Sequence, residues 1–286
     1  MQTQQVWLIT GSSSGFGRSM AEAALKGGHC VVATLRNPQK LANLEGTYST
    51  DRLLVLGLDV TKKDDVSNAF AIAKAVFGRI DVVFNNAGVA IVGEVEAVPD
   101  EVGRSIFEVL FWGAMNVTRE AIKYMRENEP VDGHILQISS LYGIVGESGT
   151  GHYSAAKFAL EGLTESLVKE LEPNWKIKVT IIEPGPFITD LPDNGIFIPS
   201  AHPPLSNGQS RTHPATKIIN GDTNKAAQAF LRLVLLPDPP LRLPMHKNVV
   251  EAFKMKAASL LKDAEKYESW SDDLLLPEEL WKEAQA

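Results

Sequence analysis

The chain has 286 residues, 44% of them hydrophobic, which suits one large α/β domain or two small ones with a buried core. Its 35 acidic and 28 basic residues give a net charge of −7, which excludes the protein-wide basic field of a nucleic-acid partner. The single cysteine, Cys30, excludes an intrachain disulfide, and with neither a basic leader nor about 18 consecutive apolar residues we expect a cytoplasmic protein with no membrane partner.

Six short apolar runs alternate with longer helical patterns along the chain. Helices are predicted at about residues 16–27, 62–77, 100–127 and 153–171, long enough to cross between parallel strands. Because the runs are nearly continuous in apolar residues, helices should cover both faces of the sheet. This order predicts an α/β fold with a doubly wound (Rossmann-type) parallel sheet in three α/β/α layers. The strand candidates are VWLIT, HCVVATL, RLLVLGLDV, IDVVFNNAG, GHILQISS and IKVTIIEPG.

Each apolar run is followed by a polar cluster. Doubly wound sheets bind ligands at the carboxyl ends of their strands, so these clusters mark the expected site. Turn-forming residues are common at strand ends, and each cluster taken singly has that structural explanation. Their joint occurrence favours a site. The clusters are TGSSSGFG, LRN, DVT, NNAG, SSLYG and EPGPFIT.

The first cluster places Gly11, Gly15 and Gly17 before a predicted helix. Glycines let the backbone approach a ligand, and the free N–H groups of the helix start suit a pyrophosphate. The spacing G-x-x-x-G-x-G departs from the G-x-G-x-x-G fingerprint, so the loop alone is equally consistent with a plain turn.

The motifs together resemble the short-chain dehydrogenase/reductase family, in particular its NADPH-dependent carbonyl reductases. The resemblance rests on TGxxxGxG, on Asp59-Val60, on the NNAG of residues 85–88 and on Y-S-A-A-K at residues 153–157. It also rests on Ser140, thirteen residues before Tyr153, and on PGPFIT at residues 184–189. These motifs cover roughly the first 190 residues.

The resemblance implies a nicotinamide dinucleotide cofactor, and the residue after the second strand bears on which one. A carboxylate there would bind the ribose hydroxyls of NAD, whereas a guanidinium pairs with the 2′-phosphate of NADP. Leu35 stands where NAD-preferring relatives carry the acid, and Arg36 follows it, so NADP(H) is favoured; an exposed loop arginine is the alternative. The implied cofactor-binding residues are Gly11, Ser12, Ser13, Ser14, Gly15, Phe16, Gly17, Arg36, Asp59, Val60, Asn86, Ala87, Gly88, Tyr153, Lys157, Pro184, Gly185, Ile188 and Thr189.

The family roles are specific for several of these residues. Asp59 would hold the adenine amino group, Asn86 the adenine ribose and Thr189 the nicotinamide carboxamide. Ser12 or Ser13 could add a hydrogen bond to the 2′-phosphate.

Tyr153 and Lys157 are four residues apart, which puts them on one face of a helix, and an ammonium near a phenol lowers the phenol pKa. The resemblance assigns Tyr153 as the acid/base, Ser140 as the carbonyl binder and Lys157 as the residue that tunes Tyr153 and holds the nicotinamide ribose. Many relatives carry an asparagine in the fourth helix that links this lysine to solvent through water. The aligned residue here is Leu110, so that relay would depend on backbone and water.

The whole chain is predicted to divide into residues 1–245, a single dinucleotide-binding domain, and residues 246–286, a C-terminal extension. The resemblance implies that the Pro- and Gly-rich segment 190–222 covers the substrate, with Phe197, Ile198 and His202 lining an apolar pocket, although a plain surface loop is the alternative. His202 and His213 lie beside prolines without metal-ligand spacing, so no metal site is expected. Apolar residues at near-helical spacing predict a helix in the extension, packed on the same domain; they are Val249, Phe253, Leu260, Leu261, Ala264 and Tyr267.

The sequence therefore predicts an NADPH-dependent reductase of ketones or aldehydes, reversible as an alcohol dehydrogenase. Two alternatives stay open: an epimerase or dehydratase on the same fold, and a non-catalytic NADP-binding regulator. The expected partner is a small carbonyl or alcohol substrate, and the resemblance implies a homodimer or homotetramer.

Overall fold

The computed structural model describes residues 4–189, 195–203 and 219–274. Its large sheet contains β1 (Val6–Thr10), β2 (Cys30–Leu35), β3 (Leu53–Gly57), β4 (Val82–Asn85), β6 (Gly133–Ile138), β7 (Ile177–Pro184) and β9 (Arg242–Met245). These strands are all parallel, in the order β3-β2-β1-β4-β6-β7-β9. Two further strands, β5 (Ile91–Val92) and β8 (Ile196–Phe197), pair with each other away from this sheet. The predicted Rossmann-type fold is confirmed.

The helices include every predicted one. They are α1 (Gly15–Lys26), α2 (Ala42–Glu45), α3 (Lys63–Phe77), α4 (Asp100–Phe107), α5 (Ala114–Arg126), α6 (Gly151–Glu170), α7 (Thr223–Leu233) and α8 (Lys247–Tyr267). The helix predicted at 100–127 is divided into α4 and α5 by a π-helical segment, Glu108–Gly113. Strand β9 and helix α7 were not predicted; β9 is short and carries Pro244, which an edge strand tolerates.

Strand β1 shows why the sheet is covered on both faces. Its side chains alternate: Trp7 and Ile9 pack with α1 and α7, whereas Val6 and Leu8 pack with α3 and α5. All four are buried, and each buried large side chain stabilises the fold by roughly 1.5–3 kcal/mol. The nearly continuous apolar runs in the sequence reflect this double burial.

The strand order places the polar clusters at one edge. The chain winds outward from β1 to β2 and β3, then returns to β4 on the other side of β1. The order of strands thus reverses between β1 and β4, and a crevice opens there at the carboxyl ends. None of the helices within the described residues has both the length and the apolar character needed to cross a membrane.

The C-terminal helix exists, but the predicted packing on the domain is wrong for most of its length. In α8 only Val249 is fully buried, and every residue from Lys254 to Leu274 is exposed. The sheet ends at β9, and α8 runs about 30 Å from its start, so it leaves the body after two turns. Residues 275–286 of the predicted extension lie outside the described residues, as do 190–194 and 204–218 of the predicted substrate segment.

Candidate active site

A cavity of about 740 Å³ lies at the carboxyl edge of the sheet. Its walls come from the segments that follow β1, β2, β3, β4, β6 and β7, and from α4, α6 and β8. The predicted site residues in its lining are Gly11, Ser13, Ser14, Gly15, Phe16, Arg36, Asp59, Val60, Asn86, Ala87, Gly88, Ser140, Tyr153, Lys157, Pro184, Gly185 and Thr189.

Three predicted cofactor residues do not line the cavity: Ser12, Gly17 and Ile188. The Ser12 hydroxyl is buried and donates a hydrogen bond to the Ile9 carbonyl at 2.9 Å, so it is turned away from the expected phosphate. Ile188 is 66% exposed. Of the two serines proposed for the phosphate, Ser13 is therefore the one in position.

Glycine is required in the loop after β1 by close packing. A Cβ on Gly17 would lie 2.2 Å from the Gly11 carbonyl oxygen, and one on Gly11 would lie 2.9 Å from Ala87 Cα. Gly11 and Gly15 also have φ angles of 68° and 51°, in the left-handed region. The loop therefore turns tightly into the N-terminus of α1, whose free N–H groups make an anion site. This cradle fits the pyrophosphate of a dinucleotide.

Thr10 ties this loop to the end of β4, and the sequence did not single it out. The backbone N–H groups of Asn86 and Ala87 both donate to the Thr10 hydroxyl at 2.9 Å. The Asn86 amide donates to the Thr10 carbonyl at 2.9 Å. Asn86 thus braces the glycine loop in this structure, with its side-chain nitrogen already bonded to the protein.

The end of the cavity beside β2 and β3 carries side chains of both positive and negative charge. Arg36 is exposed and lines the cavity together with Lys40, a second cation that sequence reasoning missed. Although burial raises the pKa of Asp59, hydrogen bonds from the N–H and hydroxyl of Thr61 lower it overall, helped by the nearby Arg36. Two basic side chains beside a fixed carboxylate suit a phosphorylated adenosine.

Ser140, Tyr153 and Lys157 all line the cavity. Ser140 follows β6 and caps a short 3₁₀ turn, while Tyr153 and Lys157 lie one turn apart on α6. The Ser140 hydroxyl accepts a hydrogen bond from the backbone N–H of Tyr142 at 3.2 Å. The Lys157 ammonium donates to the Ile138 carbonyl at 2.7 Å.

The pKa of Tyr153 corrects one expectation. Burial raises it to about 12, and the neighbouring Ser140 side chain lowers it only in part. Burial also lowers the pKa of Lys157 to about 8, against the opposing charge of Glu161. The predicted lowering of the Tyr153 pKa is therefore not present in the free protein, because desolvation of the phenolate exceeds the stabilisation it receives.

Beside Lys157 lies a buried charged network that the sequence did not indicate. The Ser139 hydroxyl donates to Glu161, and Arg242 on β9 pairs with both Glu161 and Glu183. Burial and the neighbouring Glu161 raise the pKa of Glu183 to about 8, against the lowering effect of Arg242. The network joins α6, which carries Lys157, to β7, to β9 and to the segment after β6, which carries Ser140.

Leu110 lies in the π-helical segment where many relatives carry the relay asparagine. It is buried, lines the cavity and packs in an apolar cluster with Ile106 and Ala156. Its side chain makes no hydrogen bond, as expected. The nearby Asn116 amide donates a hydrogen bond to the Val60 carbonyl at 3.0 Å.

The substrate side of the cavity corrects the predicted lining. Ile196 of β8 lines the cavity, whereas Phe197, Ile198 and His202 do not. Side chains alternate along a strand, so Phe197 points outward and is 60% exposed. Phe197 is adjacent to Ile196 and therefore on the opposite face of β8, and no sequence motif fixes which of the two faces the cavity. His213 lies outside the described residues.

One cluster of potential metal ligands occurs among the described residues, namely Glu94, Glu96 and His202, with ligand atoms within 4.8 Å of one another. His202 Nε2 lies 2.7 Å from Glu96 Oε1, so a hydrogen bond accounts for the approach of these two side chains. Sequence spacing does not indicate this cluster, because the histidine is more than 100 residues from the glutamates.

Comparison with known proteins identifies the family. A family model of the short chain dehydrogenases matches residues 5–195. An uncharacterized oxidoreductase of Schizosaccharomyces pombe is 37% identical over 251 residues, covering 86% of this chain and 84% of that protein. A 3-ketodihydrosphingosine reductase of Bacteroides thetaiotaomicron is 37% identical over 190 residues, 66% of each chain. A solved short-chain dehydrogenase from Streptomyces avermitilis is 34% identical with a TM-score of 0.86, covering 96% of this chain and 99% of that one. The chain belongs to the short-chain dehydrogenase/reductase family of oxidoreductases.

Proposed function

We propose that this oxidoreductase reduces a ketone or aldehyde with a sizeable apolar part to an alcohol, with NADPH as the electron donor. The observation that carries the proposal is the convergence of Ser140, Tyr153 and Lys157 on a single cavity beside the glycine loop. A nicotinamide dinucleotide bound there supplies the hydride.

The protein groups around a substrate oxygen have the protonation states that reduction needs. With a pKa of about 12, Tyr153 carries its proton at neutral pH and can give it to the alkoxide oxygen as the carbonyl is reduced. Ser140 lies in the same wall and can donate a hydrogen bond to that oxygen. Lys157 is protonated below about pH 8, and its ammonium favours the tyrosinate left after proton transfer.

Preference for NADPH is supported by charge. Arg36 and Lys40 line the adenosine end of the cavity, and a guanidinium binds a 2′-phosphate more strongly than a hydroxyl. Relatives have been solved with either cofactor: one from Burkholderia cenocepacia, 25% identical, in complex with NADP, and a reductase from Brucella melitensis, 26% identical, with NADH. The proposed preference for NADPH therefore rests on Arg36 and Lys40 and not on membership of the family.

An apolar substrate is supported by the rest of the lining. Beyond the catalytic residues the cavity is walled by aliphatic side chains, among them Val89, Ile91, Ile106, Leu110 and Ile196. The relative that reduces 3-ketodihydrosphingosine acts on a ketone with a long apolar chain. By analogy, we propose a substrate whose carbonyl meets Tyr153 and whose apolar part lies against these side chains.

The test follows NADPH absorbance with a series of ketones and aldehydes of increasing apolar length. We expect oxidation of NADPH that improves with length, and a loss of about 10³-fold or more in kcat for Tyr153→Phe with NADPH binding retained. If NADPH binds tightly yet no carbonyl oxidises it, the reductase proposal fails and the NADP-binding regulator is favoured. Equal activity in Tyr153→Phe would overturn the role of Tyr153, and conversion of a sugar nucleotide without net NADPH oxidation would favour an epimerase or dehydratase.

A further inference from the structure

Helix α8 carries an exposed apolar face that nothing within the described residues covers. Its first turns are held by the body: Val249 is buried, with its Cγ2 against Gly185, and Phe253 is half-buried. The same face then continues beyond the body, where Leu260 and Leu261 are 58% and 60% exposed. We call the residues on this part of α8 the α8 stripe: Ala257, Leu260, Leu261, Ala264 and Tyr267.

The stripe has the spacing of a helix-pairing seam. Starting from Phe253, the apolar residues recur at intervals of four, three, four and three residues, through Ala257, Leu260, Ala264 and Tyr267. Intervals of three and four keep side chains on one face of a helix and produce the seam of a two-helix coiled coil. The alternation of alanine with larger residues leaves room for a facing helix to approach.

Charge along α8 indicates the direction and the partner. Residues 247–257 of α8 carry three lysines against one glutamate, and residues 258–267 carry two lysines against two acidic residues. A second copy laid antiparallel would bring the basic first half of each helix onto the second half of the other, which carries Asp263 and Glu265. A parallel copy would place like charges opposite each other.

One pair of residues makes this self-complementarity concrete. Lys256 and Asp263 flank the stripe on the same side and are seven residues apart, about 10 Å along the helix, which is too far for an ion pair within one helix. About a two-fold axis near Ser259 and Leu260, each Lys256 faces the Asp263 of the other copy. A two-fold interface repeats the contact, so it is made twice.

We propose that α8 is a self-association surface, on which two copies of this chain pair through antiparallel α8 stripes. The last 14 residues of α8, from Lys254 to Tyr267, are otherwise exposed, and isolated helices shorter than about 12–15 residues are marginal in water. Pairing buries the stripe and leaves the cavity, which opens among the strand ends, independent of the interface. The proposal does not depend on which substrate or cofactor the protein uses.

The test measures the mass of the full chain by sedimentation over a concentration series. The wild-type protein should form dimers or a larger even-numbered assembly. Leu260→Glu should halve the mass or weaken association at least about tenfold, because each copy then buries a charge in the interface between the helices. Met255→Glu is the matched control: Met255 is 73% exposed on the opposite face of α8, and its replacement should leave the mass unchanged. Circular dichroism confirms that each variant is folded.

Charge reversal tests the direction of pairing. Lys256→Glu and Asp263→Lys should each weaken association, and the double variant should restore it, because the pair is re-formed with opposite sign. A monomeric wild type would overturn the proposal and assign the stripe to a different protein or to residues 275–286 of the same chain. The proposal would also be overturned if Leu260→Glu left the mass unchanged. The same holds if the double variant associated no more strongly than the two single variants.

Discussion

The two sides of the cavity are built differently. On the cofactor side the backbone itself is fixed, since Thr10 accepts hydrogen bonds from the N–H groups of Asn86 and Ala87, and Gly17 packs directly on Gly11. On the substrate side the walls are side chains on short or irregular segments. There β8 holds to β5 through two residues, and Ile219 is 51% exposed although it lines the cavity.

This difference separates what the fold requires from what it tolerates. A side-chain atom added to a glycine of this loop must displace backbone atoms. Buried backbone cannot move without breaking its hydrogen bonds. A changed side chain on the substrate side alters only the shape of a partly open wall. The cofactor side therefore binds one kind of molecule, and the substrate side can be altered to accept another without unfolding the domain. Substitutions on the two sides should accordingly differ in size of effect.

The largest effect is expected for Gly17→Ala. Its Cβ would lie 2.2 Å from the Gly11 carbonyl oxygen, so the turn must open and the anion cradle is lost. We expect NADPH affinity to fall about 1000-fold, equivalent to about 4 kcal/mol, measured by fluorescence titration. Gly162→Ala is the matched control, because nothing lies within 4 Å of its Cβ in the middle of α6, and it should stabilise the helix slightly. Unchanged NADPH binding in Gly17→Ala would show that the loop does not hold the cofactor.

The second effect is the response of the catalytic centre to pH. Burial lowers the pKa of Lys157 to about 8, so Lys157 loses its charge as the pH rises through 8. Reduction needs the ammonium to favour the tyrosinate form of Tyr153, so kcat/KM should be level below pH 8 and fall about tenfold per unit above it, or about 100-fold by pH 10. In Lys157→Arg, whose charge persists, the remaining activity should lose this alkaline fall. A profile that stays level to pH 10 in the wild type would contradict the role of Lys157.

The third effect is on cofactor choice at Arg36. Replacing Arg36 by Ser removes one charge-assisted contact to a 2′-phosphate, and we expect kcat/KM for NADPH to fall about 10-fold to 100-fold, equivalent to about 1.5–3 kcal/mol. The value for NADH should hardly change, because NADH has no such phosphate. Lys40→Ser should produce a smaller change in the same direction, since an ammonium binds phosphate as a point charge. Equal losses with both cofactors would mean that Arg36 supports the loop and does not select the cofactor.

The same division explains what the sequence could predict. Strands, helices and the cofactor side follow from local patterns: apolar runs fix the sheet, and glycine spacing fixes the loop. The network of Glu161, Glu183 and Arg242 could not be predicted, because it joins residues that meet only when β7 and β9 pair. The pKa of Tyr153 was misjudged for a related reason: spacing reveals Lys157 one turn away, whereas the desolvation that dominates depends on the whole packed wall. Helix α8 was foreseen as a helix but not as an exposed one, since periodicity identifies an apolar face without saying what covers it.

The smallest effect is expected on the substrate side, where two adjacent residues of β8 give a direct comparison. Ile196 lines the cavity and Phe197 points away from it, so the two substitutions test which face of β8 meets the substrate. Ile196→Ala should raise KM for a long-chain ketone about 3-fold to 10-fold through lost apolar contact, equivalent to about 1 kcal/mol, with kcat and NADPH affinity kept. Phe197→Ala should leave all three unchanged, although it removes the larger side chain. If Phe197→Ala has the greater effect, β8 shifts by one residue when substrate binds, and the wall seen in the free protein is not the one that meets the substrate.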